Sequence, residues 1–323
     1  MTERGGPAPA AEGRRLPFSA IPGHLRAAIE QQLGARVLEA ATQAGGFSPG
    51  VAARLRLADG RRAFVKAVGD INPDSPDIHR AEARIAVVLP ASTSAPRLLG
   101  SIDADGWVIL LFEDIDGRMP AQPWRPAELD RVLAAMTDLA TALTPAPISA
   151  PPAAVRFNHL GSGWRELADA AASAADDLAG LDSWAREHLA ELVAVENRWP
   201  LAVQGSTLAH ADTRADNILL TPDRVVFVDW PWACLAAPWF DLAAMLPSVA
   251  MQGGPQPEDV IAVHPLARDA DPDAITAVVA ALAGVFAFLG RQPAPPGLPT
   301  LRAFQRAQGA IALDWLKLRI GRD

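Results

Sequence analysis

His210-Ala211-Asp212-Thr213-Arg214-Ala215-Asp216-Asn217 gathers a histidine, two carboxylates, a guanidinium and an amide into eight consecutive residues. The stretch runs directly into the apolar Ile218-Leu219-Leu220, and after Thr-Pro-Asp-Arg a second apolar run, Val225 to Val228, leads to Asp229. Thr-Pro-Asp-Arg is turn chemistry, so the two runs are expected to pair as a hairpin with polar residues at both open ends. Turn capping alone would account for one Asp or Asn in such a loop. It does not account for an isolated Asp229 just past the partner strand. Hard oxygen donors at the two ends of one rigid unit suit a divalent cation, and an Asp in the loop that enters it suits proton acceptance.

The spacing resembles the catalytic loop of protein kinases, H-R-D-L-x-x-x-x-N followed by Asp-Phe-Gly, here written as H-A-D-T-R-A-D-N followed by Asp229-Trp230. With a small residue after the histidine and no long activation segment, the chain looks more like the aminoglycoside phosphotransferase and choline kinase branch, small-molecule kinases built on the protein-kinase fold. That resemblance implies an α+β, bilobal, protein-kinase-like architecture: a small lobe with an antiparallel sheet and one main helix, and a larger, mostly helical lobe. It also implies ATP and Mg²⁺ as cofactors. On the matching positions, Asp212 accepts the proton of the acceptor hydroxyl, Arg214 reaches the γ-phosphate, and Asn217 and Asp229 ligate the metal. His210, counted with the catalytic set, bonds backbone near the Asp229 turn, and Asp241 in PWFDLAAML braces the loop from the next helix.

The other half of such a site needs a phosphate cover and a cation. Gly45-Gly46-Phe47-Ser48-Pro49-Gly50 lies between two strand-like runs, where Gly45, Gly46 and Gly50 let backbone close over phosphates and Ser48 adds a donor. Lys66, one of two lysines in a chain with 29 basic residues, falls where the kinase V-A-I-K lysine would be. A compact ammonium fits beside phosphates where a planar guanidinium does not. Glu82, mid-helix between Arg80 and Arg84, is the expected ion-pair partner, and the backbone of Phe112-Glu113-Asp114-Ile115 is expected to read adenine. No Gly-Lys-Ser/Thr of the Walker type occurs, which excludes a P-loop enzyme on motif grounds.

The elements that must carry these residues can be read more coarsely. Three strands, 36–43, 51–58 and 61–68, have an Asp59-Gly60 turn between the last two. A polar loop over 69–77 precedes a helix over 78–90, where Ile78, Ala81, Ile85 and Val88 recur at helical spacing. WVILLFEDIDG reads as a buried strand running into an acidic turn, and from Met119 onward the chain reads as helical. The expected division is a disordered tail over 1–15, a nucleotide lobe over 16–111, a hinge over 112–118 and a helical lobe over 119–323 that holds the catalytic loop and acceptor site.

Composition narrows the function. A net charge of −8 argues against a nucleic-acid partner and mildly suits a cationic small molecule. The single cysteine, Cys234, sits in an apolar run and reads as a buried, inert thiol. The first fifteen residues contain no apolar signal region, and Ala274 to Gly290 reads as a core helix, so no membrane association is expected and the location is expected to be cytoplasmic. Trp230, Trp232 and Trp239 read as core residues, with lining of the acceptor site as the alternative. For the acceptor, a hydroxylated antibiotic such as an aminoglycoside and a primary metabolite (sugar, amino sugar or amino alcohol) share every motif above. A nucleotide-binding pseudokinase is the reading from another class.

Overall fold

The computed structural model describes residues 8–69, 73–158 and 161–321. The small lobe runs β1 (Arg15–Leu16), α1 (Gly23–Leu33), β2 (Val37–Thr42), β3 (Gly50–Leu57), β4 (Arg62–Val68), α2 (Ser75–Ala86), β5 (Leu98–Ala104) and β6 (Trp107–Glu113). The strands form a six-stranded sheet in the order β1-β3-β4-β6-β5, with β2 also on β3. β1 runs parallel to β3, and the remaining pairs are antiparallel.

Strand periodicity decides which way Lys66 faces. Ala63, Val65 and Ala67 pack with Val51, Ala53 and Leu55 against Leu25, Ile29 and Leu33 of α1. Phe64 and Lys66 therefore lie on the opposite face, toward α2 and the cleft. Lys66 sits in the middle of the sheet, opposite Ala52 on β3 and Leu110 on β6, so its backbone is fixed from both sides.

Three features differ from the sequence reading. α2 begins at Ser75, inside the expected loop, because Pro76 is tolerated in a first helical turn, where its missing N–H is not needed; residues 70–72 of that loop lie outside the described residues. α1 and β5 were not anticipated. Of the expected tail, 1–7 lies outside the described residues, but 8–15 is tied down: Gly13 N–H donates to Gly46 O at 2.8 Å, Arg14 N–H to Gly297 O at 2.8 Å, and Gly50 N–H to Arg14 O at 2.9 Å.

The large lobe continues with α3 (Pro126–Ala142), α4 (Ala153–Arg156), α5 (Gly163–Ala172), α6 (Ser183–Glu187), α7 (Leu189–Glu196), α8 (Trp199–Ala202), β7 (Thr207–Ala209), β8 (Ile218–Leu220), β9 (Val225–Phe227), β10 (Cys234–Ala236), α9 (Phe240–Met251), α10 (Pro257–Ile261), α11 (Pro272–Leu289) and α12 (Leu301–Arg319). β8 and β9 form the expected hairpin, and β7 pairs with β10. α11 is long and apolar enough to cross a membrane by length and composition alone, yet residues Ile275 to Ala281 are buried against the rest of this lobe, as in a core helix. The lobes are joined beyond β6, where Arg118 and Leu220 exchange backbone hydrogen bonds at 3.1 and 2.7 Å, pinning the connecting segment to the β8–β9 hairpin.

Candidate active site

β7 delivers the chain into the loop 210–217, and β10, paired with β7, holds the segment that follows Asp229. Between them the backbone is strained at two points: Ala211 has φ +65° and Asp229 φ +70°. Asp visits the left-handed region at modest cost, but alanine pays about 1–2 kcal/mol there, so the surroundings must enforce it. Asp241, in the first turn of α9, supplies that force. Its two carboxylate oxygens accept from the N–H groups of His210 and Ala211, both at 2.7 Å. Thr213 Oγ1 donates to the Asp241 carbonyl at 3.1 Å. Burial pushes the Asp241 carboxyl up to about 6, against the pull of its two N–H donors.

His210 is completely buried, and burial lowers its pKa to about 4. The neutral ring then has one tautomer that fits: Nε2–H donates to Val228 O at 2.9 Å, and Nδ1 accepts from the Asp212 N–H at 3.2 Å. Both nitrogens are spent on backbone, so His210 cannot shuttle a substrate proton; it locks the loop to the end of β9. This is the backbone bond near the Asp229 turn expected from the sequence, and it makes His210 a positioning residue within the set it was counted with.

Asp212 is held by neighbours on two sides. Arg214 Nη1 donates to its Oδ1, and Asn217 Nδ2 to its Oδ2 at 3.0 Å and to its backbone carbonyl at 2.9 Å. Burial nevertheless pushes its carboxyl up to about 7, with Arg214 pulling the other way. Arg214 also forks onto Asp216, Nε to Oδ1 at 3.1 Å and Nη2 to Oδ2 at 2.9 Å. Arg214, expected from the sequence to reach the γ-phosphate, bonds to both of these carboxylates and lies over the rings of Phe47 and Phe304, 5.5 and 6.0 Å from their centroids. Charge on both partners strengthens such pairs.

The small lobe meets this loop at Lys66. Its Nζ donates to Glu82 Oε2 at 2.5 Å and to Asp229 Oδ1 at 2.7 Å. Burial works against the ammonium, but the two carboxylates outweigh it and hold Lys66 above its ordinary range. Burial likewise opposes the charge on Asp229, yet Lys66 keeps it below the usual carboxylate range. Glu82 is pushed upward by burial against the pull of Lys66.

The glycine loop covers the same corner. Gly45, Gly46 and Gly50 all have φ between +75° and +111°, and a Cβ at Gly50 would stand 2.4 Å from Ala67 O, so two constraints demand glycine there. Sequence reasoning missed what holds this loop in place: Arg15 donates from Nη1 to Ser48 O and from Nη2 to Gly45 O, while its Nε is buried without a partner among the described residues. Burial lowers the pKa of Arg15, opposed by the charges of Asp229 and Asp216. An arginine in a Gly- and Pro-rich stretch carries no periodic signal, and its partners lie at least 30 residues away.

Two adjoining cavities meet here. One, of about 180 Å³, lies under the glycine loop between Phe64, Phe112, Met119 and Leu219 and ends at Lys66, Asn217 and Asp229. Glu113, Asp114 and Ile115 line its far end; Asp114 is fixed by Arg62 Nε at 2.7 Å and Arg54 Nε at 3.3 Å. The Glu113 N–H is taken by Arg97 O, whereas the Ile115 N–H bonds to nothing among the described residues. The second cavity, of about 510 Å³, opens on Asp212 and runs into the large lobe. Ser48, His79 and Asp229 line both. Trp230 and Trp239 are core residues, whereas Trp232 lines the larger cavity beneath the guanidinium of Arg156. Burial pushes the Cys234 thiol up, which suits an inert core residue.

Known structures share this fold. The chain superposes on a thermostable variant of aminoglycoside phosphotransferase APH(4)-Ia, crystallised with ADP and hygromycin B, with TM-score 0.56 at 14% identity over 91% of this chain and 98% of that one. For choline kinase LicA from Streptococcus pneumoniae the values are 0.55, 14%, 90% and 100%. For spectinomycin phosphotransferase APH(9)-Ia, crystallised with ADP and spectinomycin, they are 0.52, 12%, 90% and 97%. These likenesses establish the kinase-like bilobal fold. No curated protein sequence matches the chain. The profile of the phosphotransferase enzyme family, APH, matches residues 44–278, which cover the glycine loop, Lys66, the segment 112–118 and the loop 210–217, and the chain belongs to that family.

Proposed function

We propose that the protein is an ATP- and Mg²⁺-dependent kinase that moves the γ-phosphoryl group of ATP onto a hydroxyl of a small molecule. One observation carries this reading: Lys66, Glu82 and Asp229 close one cavity, while Asp212, held by Asn217 and Arg214, opens onto the next. A nucleotide in the first and an alcohol in the second would meet at the shared wall.

The donor set fits Mg²⁺. Among the described residues no group of three His, Cys, Asp or Glu could hold a metal on its own. Asn217, whose amide nitrogen is spent on Asp212, and Asp229, whose Oδ1 faces Lys66, would each offer an oxygen. Mg²⁺ is commonly held in this way, by one or two protein oxygens with phosphates and water completing the shell. Bound there, the ion would neutralise phosphate charge. Adenine would slot between Phe64 and Leu219 and take the Ile115 N–H, and Lys66 would turn its ammonium to the α- and β-phosphates. Asp212 would accept the hydroxyl proton as the acceptor oxygen bonds to phosphorus and the bond to the β-phosphate oxygen breaks, releasing ADP. Arg214 would act through Asp212 and Asp216, keeping the loop's carboxylates apart. The ADP bound in two of the fold relatives supports a nucleotide here too. We place this reaction in the cytoplasm, where ATP is supplied.

The test is ADP binding by calorimetry with and without Mg²⁺, followed by ATP turnover with phosphorylated product identified by ³¹P NMR. Mg²⁺ should strengthen binding, and Asp229→Asn should remove that gain. A wild-type protein that binds no nucleotide in the presence of Mg²⁺ ends the proposal.

A further inference from the structure

The helices that sequence reading left without a motif build the acceptor wall. Val278, Ala281, Leu282, Val285, Phe286 and Leu289 line the 510 Å³ cavity from α11, at spacings of three and four, so one continuous stripe of that helix faces it. Leu301, Phe304, Gln305 and Gln308 do the same from α12. Phe157, Trp232 and Phe240 complete an apolar enclosure of drug-like size.

Charge on this wall is distributed against a cation. Of the cavity's carboxylates, Asp212 and Asp229 belong to the phosphoryl-transfer seam and Asp74 to the small lobe at the start of α2. Among the described residues, the large-lobe wall beyond the loop 210–217 contributes one ionised side chain, Arg302, and it is a cation. Its Nε donates to Pro293 O at 3.1 Å and its Nη1 to Gln305 Oε1 at 2.8 Å. Away from Asp74, Asp212 and Asp229, a polyammonium compound would lose its hydration against rings and methyl groups, next to a fixed positive charge. The overall charge of −8 belongs to the whole chain and does not set the charge of this wall.

A second, independent feature is Gln308. It is 4% exposed and lines the cavity. An amide set in an apolar wall is suited to a neutral donor or acceptor on a ligand.

We propose that the acceptor is a neutral hydroxyl compound with a bulky, largely apolar body, recognised away from the reacting hydroxyl by Gln308, and not a hydrophilic cation. This rests on the kinase reading, since it assigns the larger cavity to the acceptor. The test separates the two. Binding to the AMP-PNP-loaded wild-type protein is measured by calorimetry for estriol, phenyl β-glucoside and a neutral macrocyclic lactone polyol, and for kanamycin and choline; transfer is then measured with ATP.

At least one neutral compound should bind about tenfold tighter than either cation, a factor that burial of one additional ring face supplies. Gln308→Leu should weaken that compound about fivefold with nucleotide affinity unchanged. Tighter binding of kanamycin or choline, failure of all three neutral compounds to bind, or a Gln308→Leu variant that binds them as well as wild type overturns the acceptor class. A neutral compound that binds but is never phosphorylated leaves the class standing and removes the kinase reading. Phosphorylation of kanamycin in preference to the neutral compounds does the reverse.

Discussion

The two cavities that meet at Asp229 are built by different means. The nucleotide side owes its character to a few side chains placed one at a time: Lys66 from the middle of a sheet, Glu82 from a helix, Asn217 and Asp229 from the two ends of a hairpin. The proposed acceptor side owes its character to whole helix faces, on which Arg302, Gln305 and Gln308 are the polar lining residues of α12. Phosphate and metal need particular atoms at particular points, whereas an apolar wall needs only volume and low polarity. Substitutions should therefore act sharply on one side and gradually on the other.

The sharpest break lies at the seam. Asp212→Asn keeps a hydrogen-bonding side chain beside Asn217 and Arg214 but cannot take the hydroxyl proton. Turnover should fall about 10³-fold with ADP affinity unchanged. Retained turnover in a steady-state ADP-release assay would remove Asp212 from the proton path. Next in size is Lys66→Ala, which leaves Glu82 and Asp229 facing each other without their shared cation. We expect ATP use to fall about 100-fold, read as kcat/KM for ATP, and expect Lys66→Arg to recover little, because a planar fork does not fit between two carboxylates spaced for one ammonium. Full activity in the arginine variant would contradict the geometry assigned to this corner.

The same contrast explains what the sequence disclosed. Lys66, the Asp212 to Asn217 spacing and Asp229 were legible because their types are rare in their surroundings and their separation is set by one hairpin. Glu82 was legible because a helix had to follow the strand, and the chain places one glutamate at its middle. Arg15 was not legible: its partners are the carbonyls of Ser48 and Gly45, and a carbonyl is carried by every residue. Nor were α11 and α12 as cavity walls, since a stripe facing a cavity has the same periodicity as a stripe facing the core. The commitment of Arg214 to Asp216 was hidden for a third reason: two residues apart in a loop, they could have faced any direction.

Arg15 offers a gentler test of the nucleotide side. It joins the glycine loop to a segment that also bonds to the large lobe, through Arg14 to Gly297 and through Glu12 to Thr300. Arg15→Ala removes both side-chain bonds to the loop without touching Lys66 or Asp229. The KM for ATP should rise about tenfold, with the acceptor KM within about twofold of wild type. Equal rises in both constants would mean that the segment shapes the two cavities alike, and the division between them would blur.

The smallest effect expected is at Ala211, and it bears on why the seam is rigid at all. Its φ of +65° costs an L-residue about 1–2 kcal/mol, and the cost is met by the Asp241 carboxylate and the His210 ring on either side. Ala211→Gly removes that strain but adds about 0.5–1 kcal/mol of backbone entropy to the unfolded chain. The difference leaves the variant about 0.5 kcal/mol more stable, a rise in Tm of about 1 °C. Because Asp241 still holds both N–H groups, kcat should stay within about twofold. A drop in Tm of several degrees would show that the alanine methyl, which lines the acceptor cavity, contributes more by packing than its backbone costs. In that event the seam would be held by the apolar wall as well as by its polar anchors, and the two cavities would be mechanically one.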